Sequence, residues 1–145
     1  MLSHLDFLDR NVEWRPDAPA LELVDTGETV SYAAFDERVN RVATGLADRG
    51  VRKGDRVAMV LFDTVEFPSI PYACYRIGAV PVSINVMLAT GNVRYVFEGM
   101  HPTVLVYDDG VAEGVETAAD GAVRSPDLVR VGGSPPGGES YEAVF

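Results

Sequence analysis

The sequence predicts an α/β fold with a mainly parallel sheet and flanking helices. Three observations carry this: apolar runs of strand length at 57–62, 79–84 and 103–107, stretches of helical spacing between them, and short turn-rich joins. Strand, helix, strand, helix, strand in close succession is the order of parallel strands linked by crossovers.

Leu2, Leu5, Leu8 and Val12 recur at helical spacing behind Ser3, whose hydroxyl can cap a helix, so the chain opens with a short amphipathic helix ending before Pro16. Residues 20–25 alternate and run into Asp25-Thr-Gly-Glu28, a hairpin turn between two short strands. Ser31 then caps a helix over 32–49, where Phe35, Val39, Val42 and Leu46 gather on one stripe while Glu37 and Arg41 pair on the solvent side. Gly50 supplies the left-handed residue that stops it, and Lys53-Gly-Asp55 turns the chain into the first long strand. That strand, 56–62, is continuously apolar from Val57, which suits burial on both faces.

Asp63 or Thr64 caps a helix running to about Ile77, closed by Gly78; Pro68 is tolerable in its first turn, whereas Pro71 lies deeper and should distort the helix or delay its start. The run 79–84 follows as a strand, Thr90 caps a short helix through about Glu98, and 103–107 is a third buried strand. Beyond Asp109, residues 112–119 suit a short acidic helix and 128–131 a further strand. The stretch 132–140, rich in glycine, serine and proline, reads as a flexible connector, and Tyr141 opens a segment of renewed apolar content. The expected division is a subdomain over 1–131, then 132–145 as linker and start of an incomplete next element.

With 145 residues and 47% apolar composition, the chain is of single-domain size and can bury a core. The apolar stretches are too short and too often broken to span a membrane, and the N-terminus lacks the basic flank and apolar run of a secretory signal, so a soluble cytoplasmic protein is expected. Twenty-two acidic against 12 basic side chains, a formal charge of -10, argue against nucleic acid or anionic membrane as a partner. Lys53 is the sole lysine; all other basic residues are arginine. An acid-rich, lysine-poor surface fits a protein kept soluble at high salt, and arginine codons in a GC-rich genome are the plainer account.

Few residues qualify for chemistry. Cys74 stands alone, with no disulfide partner, and reads as a small buried side chain on a helix. His4 and His101 lie far apart without ligand spacing, so both read as structural or solvent-facing. Gly45 and Gly50 share the spacing of the glycines in an NTPase phosphate loop, but Val51 stands where lysine is required. The Gly/Ser-rich 132–140 has no threonine, no basic residue and an acidic Glu139, which suits a linker rather than an anion cradle. Asp108 and Asp109 belong to a generally acidic surface, Ser69 and Ser83 have no histidine nearby in sequence, and Tyr72, Tyr75 and Tyr95 occupy helical packing positions. No catalytic, cofactor-binding or metal-binding residue is therefore assigned.

The runs 31–50, 53–57 and 76–85, with Tyr32, Asn40, Gly50, Gly54, Asp55, Gly78, Ala79, Val80 and Asn85 in register, resemble the N-terminal region of the adenylate-forming (AMP-binding) acyl-CoA synthetase and ligase superfamily. Asp63 stands where that family commonly has asparagine, and Pro68 and Pro71 interrupt a helix that is usually proline-poor. The resemblance implies a subdomain lining one side of an acyl pocket. Complete members use ATP, Mg and CoA in fatty acid and related metabolism, through a phosphate loop, an aromatic-Gly-x-Thr-Glu motif, a ribose-binding aspartate and a C-terminal domain with a catalytic lysine. None of these motifs is found in this chain, and 141–144 resembles the segment shortly before the phosphate-loop strand. The expectation is an inactive N-terminal part of an AMP-forming acid–CoA ligase whose partner is the remainder of that enzyme. A non-catalytic module of a split ligase is the alternative, and a free-standing nucleotide-binding α/β domain a third.

Overall fold

The computed structural model describes residues 3–88, 93–133, 136 and 138–145. Its first helix, α1 (His4–Trp14), starts at a reciprocal cap: the Ser3 hydroxyl accepts from the Asp6 N–H at 3.1 Å, and the Asp6 carboxylate accepts from the Ser3 N–H at 2.6 Å. Leu8 is buried beneath it and Leu5 and Val12 partly so, as their spacing requires; Leu2 lies outside the described residues.

The strands β1 (Pro19–Glu22) and β2 (Thr29–Ser31) form the expected antiparallel hairpin, turning at Gly27 with φ 71°. Ser31 then caps α2 (Tyr32–Asp48), accepting from the Ala34 N–H at 3.2 Å, and Phe35, Val39, Val42 and Leu46 are all buried on one stripe. The expected Glu37–Arg41 pair does not form. Both side chains are exposed, where the gain from such a pair is too small to hold two flexible chains together, and the neighbouring Arg38 reaches Glu28 of the hairpin at 3.8 Å instead.

After β3 (Arg56–Val60) the helix α3 (Glu66–Ile77) begins later than a cap at Asp63 or Thr64 would allow, and its N-cap, Val65, makes no side-chain bond. Pro68 explains the shift. A start at either earlier residue would place Pro68 where its N–H must enter the helix ladder, whereas a start at Glu66 leaves it in the first turn, where no donor is needed. Pro71 remains inside the helix, so the Phe67 carbonyl receives no bond from that position. Gly78, at φ 72°, ends α3.

The remaining elements are β4 (Val80–Ser83), α4 (Val93–Met100), β5 (Val104–Asp108), α5 (Ala112–Asp120), β6 (Asp127–Val131), β7 (Glu139–Ser140) and α6 (Tyr141–Val144). Thr90, expected to cap α4, lies outside the described residues. The other end of α4 is closed by a guanidinium: Arg56 donates to the carbonyls of Met100 at 2.7 Å and His101 at 3.1 Å, and His101 takes the left-handed conformation, φ 47°, in place of a glycine.

Five parallel strands make the main sheet in the order β4-β3-β5-β6-β7. Register aligns Met59, Val106 and Val129 on one face and Ala58, Leu105 and Leu128 on the other. The first face is covered by α1, α2, α3 and the hairpin, the second by α4 and α5, giving three layers with buried apolar residues on both sides of the sheet. The strand β4 lies at one edge, and its run of apolar residues is only partly covered, with Val80 46% exposed. The N–H groups of Val80 and Ile84 donate inward to Asp55 and Met59, so the intervening Pro81 occupies an outward-facing position where no donor exists.

The segment 138–145 joins the sheet rather than standing apart from it. Glu139 and Ser140 pair with Val129 and Arg130, the Ser140 hydroxyl accepts from the Ala143 N–H, and Tyr141, Val144 and Phe145 cover the α2 side of the core. Arg49, after α2, pairs with both Asp127 and Glu139. A Cβ on Gly45 would lie 2.5 Å from the Phe145 ring and 2.7 Å from the Val144 carbonyl, so α6 rests where α2 has no side chain.

Candidate functional site

In an open parallel sheet, ligands bind beyond the carboxyl ends of the strands, where successive connections leave on opposite faces. Here that point lies between β3 and β5: α3 follows β3 on one face and α5 follows β5 on the other. The residues there are Phe62, Asp63 and Thr64 after β3, Asp108 at the end of β5 with Asp109 and Gly110 after it, and Gly132 and Gly133 after β6. Phe62 crosses to Gly110 so closely that a Cβ there would sit 3.0 Å from the ring. Asp108 accepts from the Gly110 N–H at 2.9 Å and opens a short 3-10 turn into α5.

The charge at this edge is negative and largely committed. Arg130 pairs with Asp109 and, at 3.2 Å, with Glu116; Asp109 holds the guanidinium proton above its ordinary pKa range. Glu116 also accepts from the Tyr107 hydroxyl at 2.7 Å, and burial first, then this bond, raises the Tyr107 pKa. A triphosphate needs unpaired cations and converging N–H groups. The guanidinium near this edge is neutralised, and Asp63 and Asp109 stand exposed beside it, so the described residues of this edge offer a phosphate no unpaired cation. Among the described residues no group of three or more His, Cys, Asp or Glu side chains is placed to hold a metal ion.

The residues weighed from sequence are scattered. His4 is exposed and stacks on Tyr75 with ring centres 5.7 Å apart; His101 is exposed at the far end of α4. Cys74 is fully buried on α3. Ser69, also buried, donates to the Val65 carbonyl at 2.7 Å, one turn back, while Ser83 is exposed on the sheet edge. Tyr72 packs edge-on against Phe35, and Tyr95 is exposed on α4. Gly45 and Gly50 mark an element contact and a helix end. Sequence reasoning missed the Tyr107–Glu116–Arg130–Asp109 cluster, whose members become neighbours only through the β5–β6 register.

Among the described residues no helix is long and apolar enough to cross a membrane. Against curated proteins, the chain is 33% identical over 132 residues to a 4-hydroxybenzoate–CoA/benzoate–CoA ligase of Rhodopseudomonas palustris, covering 90% of this chain and 24% of that enzyme. It is 30% identical over 121 residues to the uncharacterized protein Rv1549 of Mycobacterium tuberculosis, covering 83% of this chain and 67% of that protein. Among solved structures, a benzoate CoA ligase from Burkholderia xenovorans superposes with a TM-score of 0.85 at 26% identity, over 99% of this chain and 28% of that one. This chain thus spans about a quarter of the length of the ligases it matches. The family model for AMP-binding enzymes matches residues 8–142, and the chain belongs to that family.

Proposed function

We propose that this chain supplies a scaffold wall of an AMP-forming acid–CoA ligase and does not by itself carry out the reaction. In that reaction a carboxylate attacks the α-phosphorus of ATP, releasing pyrophosphate and forming an acyl-adenylate; the CoA thiol then displaces AMP. ATP, Mg and CoA belong to that complete enzyme, and its setting is the cytoplasm. One observation carries the reading: a sheet of the ligase fold whose carboxyl-terminal edge presents Asp63, Asp108 and Asp109, with Arg130 already paired. Stabilising charge on a transferring phosphoryl group requires donors aimed at it, and these residues are acceptors.

The test is carboxylate-dependent exchange of pyrophosphate into ATP by the purified chain, with benzoate and a medium-chain fatty acid as acids. No exchange above the buffer blank is expected. Exchange dependent on either acid overturns the reading.

A second reading, a non-catalytic module working with a ligase part carried on another chain, is favoured by the match to Rv1549, two thirds of whose length is covered. It predicts that exchange returns when this chain is mixed with a ligase part beginning at the phosphate loop.

A further inference from the structure

The hairpin of β1 and β2 leaves a strand edge unused. The Leu23 N–H donates to the Glu28 carbonyl at 2.8 Å, which makes these two a hydrogen-bonded pair. In the alternation of an antiparallel ladder the next residue, Glu22 opposite Thr29, therefore turns its N–H and C=O away from β2. No other backbone group among the described residues takes up either.

Beside this edge runs a groove of about 430 Å³, with residues 21–25 as one wall and residues 63–65, Phe67 and Pro68 as the other. Its lining is largely apolar, from Leu21, Leu23, Val65, Phe67 and Pro68. Glu22, Asp25 and Asp63 stand exposed along it, and no basic residue lines it. Glu28, on the other strand, is the hairpin acid that meets a cation, Arg38. On the wall facing β1, the Thr64 hydroxyl oxygen is buried without a hydrogen-bond partner among the described residues.

A free strand edge beside an apolar groove is the arrangement that takes up extended peptides. Main-chain hydrogen bonds hold the incoming strand, and alternate side chains reach into the groove. The charges decide which peptide. A second copy of this chain, of formal charge -10, or any acidic segment brings further carboxylates against Glu22, Asp25 and Asp63. Basic side chains instead meet those carboxylates, and apolar ones between them cover Leu21, Leu23 and Phe67. We propose that the Glu22 edge of β1 takes an extended partner segment of alternating basic and apolar residues as a third strand of the hairpin sheet. The proposal does not depend on the ligase reading, because strand pairing at Glu22 requires no chemistry at the carboxyl edge of the main sheet.

The probe is a short peptide alternating lysine and valine, titrated into the full 145-residue chain and followed by NMR of the backbone amides. Saturable shifts confined to residues 21–25 and 63–68 are expected, with slowed hydrogen exchange at the Glu22 amide. The Glu22→Gln/Asp63→Asn double variant should bind about threefold or more weakly at low salt, and added sodium chloride should weaken the wild-type response likewise. The same peptide N-methylated at alternate residues, tried in both registers, should lose binding in the register that removes the N–H groups facing β1. Circular dichroism checks each variant's fold, and if the double variant unfolds, Asp63→Asn alone serves. Several results overturn the proposal: no shifts, shifts centred elsewhere, an equal response to both N-methylated peptides or to a glutamate–valine peptide, or an affinity unchanged by the carboxamide substitutions. Shifts on raising protein concentration alone assign the edge to a second copy, and equal shifts from spermidine assign the groove to small cations; either also overturns it.

Discussion

Cys74 is fully buried on α3 against the core beneath α2, and burial pushes its thiol pKa from the ordinary 9.0 up to about 12. The sign of the consequence follows from which state holds the proton. The unfolded chain loses it above about pH 9, the folded chain keeps it until about pH 12, and so stability falls as pH rises through that interval. Buried Tyr107 and half-buried Tyr141, also raised chiefly by desolvation, weaken the fold in the same alkaline direction. Cys74→Ala removes the thiol alone, so its urea midpoint should decline less steeply than that of the wild type between about pH 8 and about pH 11. Parallel slopes for the two proteins would show that the thiol does not titrate in that range. At the same scale, Asp6 has its pKa lowered mainly by the Ser3 N–H, so the α1 cap holds above the ordinary carboxylate range and opens only as the medium turns strongly acidic.

Among elements, the docking of β7 and α6 is the most exposed to change. Its strand has two paired residues, and its hold depends on Arg49 and on the bare backbone at Gly45. Gly45→Ala opposes two effects. Alanine favours the α2 helix by up to about 1 kcal/mol, while a Cβ driven against the Val144 carbonyl and Phe145 ring costs about 1–3 kcal/mol or moves the segment away. The expected outcome is lost amide-exchange protection over 139–145 with protection kept or increased in α2; a segment equally protected in both proteins contradicts it. The sequence announced α2 clearly because Ser31, a regular apolar stripe and Gly50 all agree. It misplaced the start of α3, where a proline outweighed a good capping residue, and it read the β7 region as linker because a two-residue strand has no local pattern and exists only through β6. The candidate site was readable only as missing chemistry. The pairing that neutralises Arg130 depends on residues 14 and 21 positions away, beyond any spacing rule.

The whole molecule carries 22 acidic and 12 basic side chains, with self-repulsion spread over its surface. Several ion pairs offset this locally, and one of them joins three helices: Arg76 on α3 meets Asp36 and Asn40 on α2 and Asp9 on α1. Salt weakens both terms, but the repulsion acts over longer distances between exposed charges and is screened first. The urea midpoint should therefore rise as potassium chloride is added from low concentration to about 1 M; a flat or falling midpoint would assign the arginine-rich, lysine-poor composition to codon usage instead. Pro81 bears on behaviour at this scale as well. At the rim of the sheet it leaves an incoming chain without the hydrogen it would need at mid-strand, so stacking of copies into ribbons is blocked along that flank. A protein with half-covered valines on its outermost strand can thus remain dispersed where its side chains alone would invite aggregation.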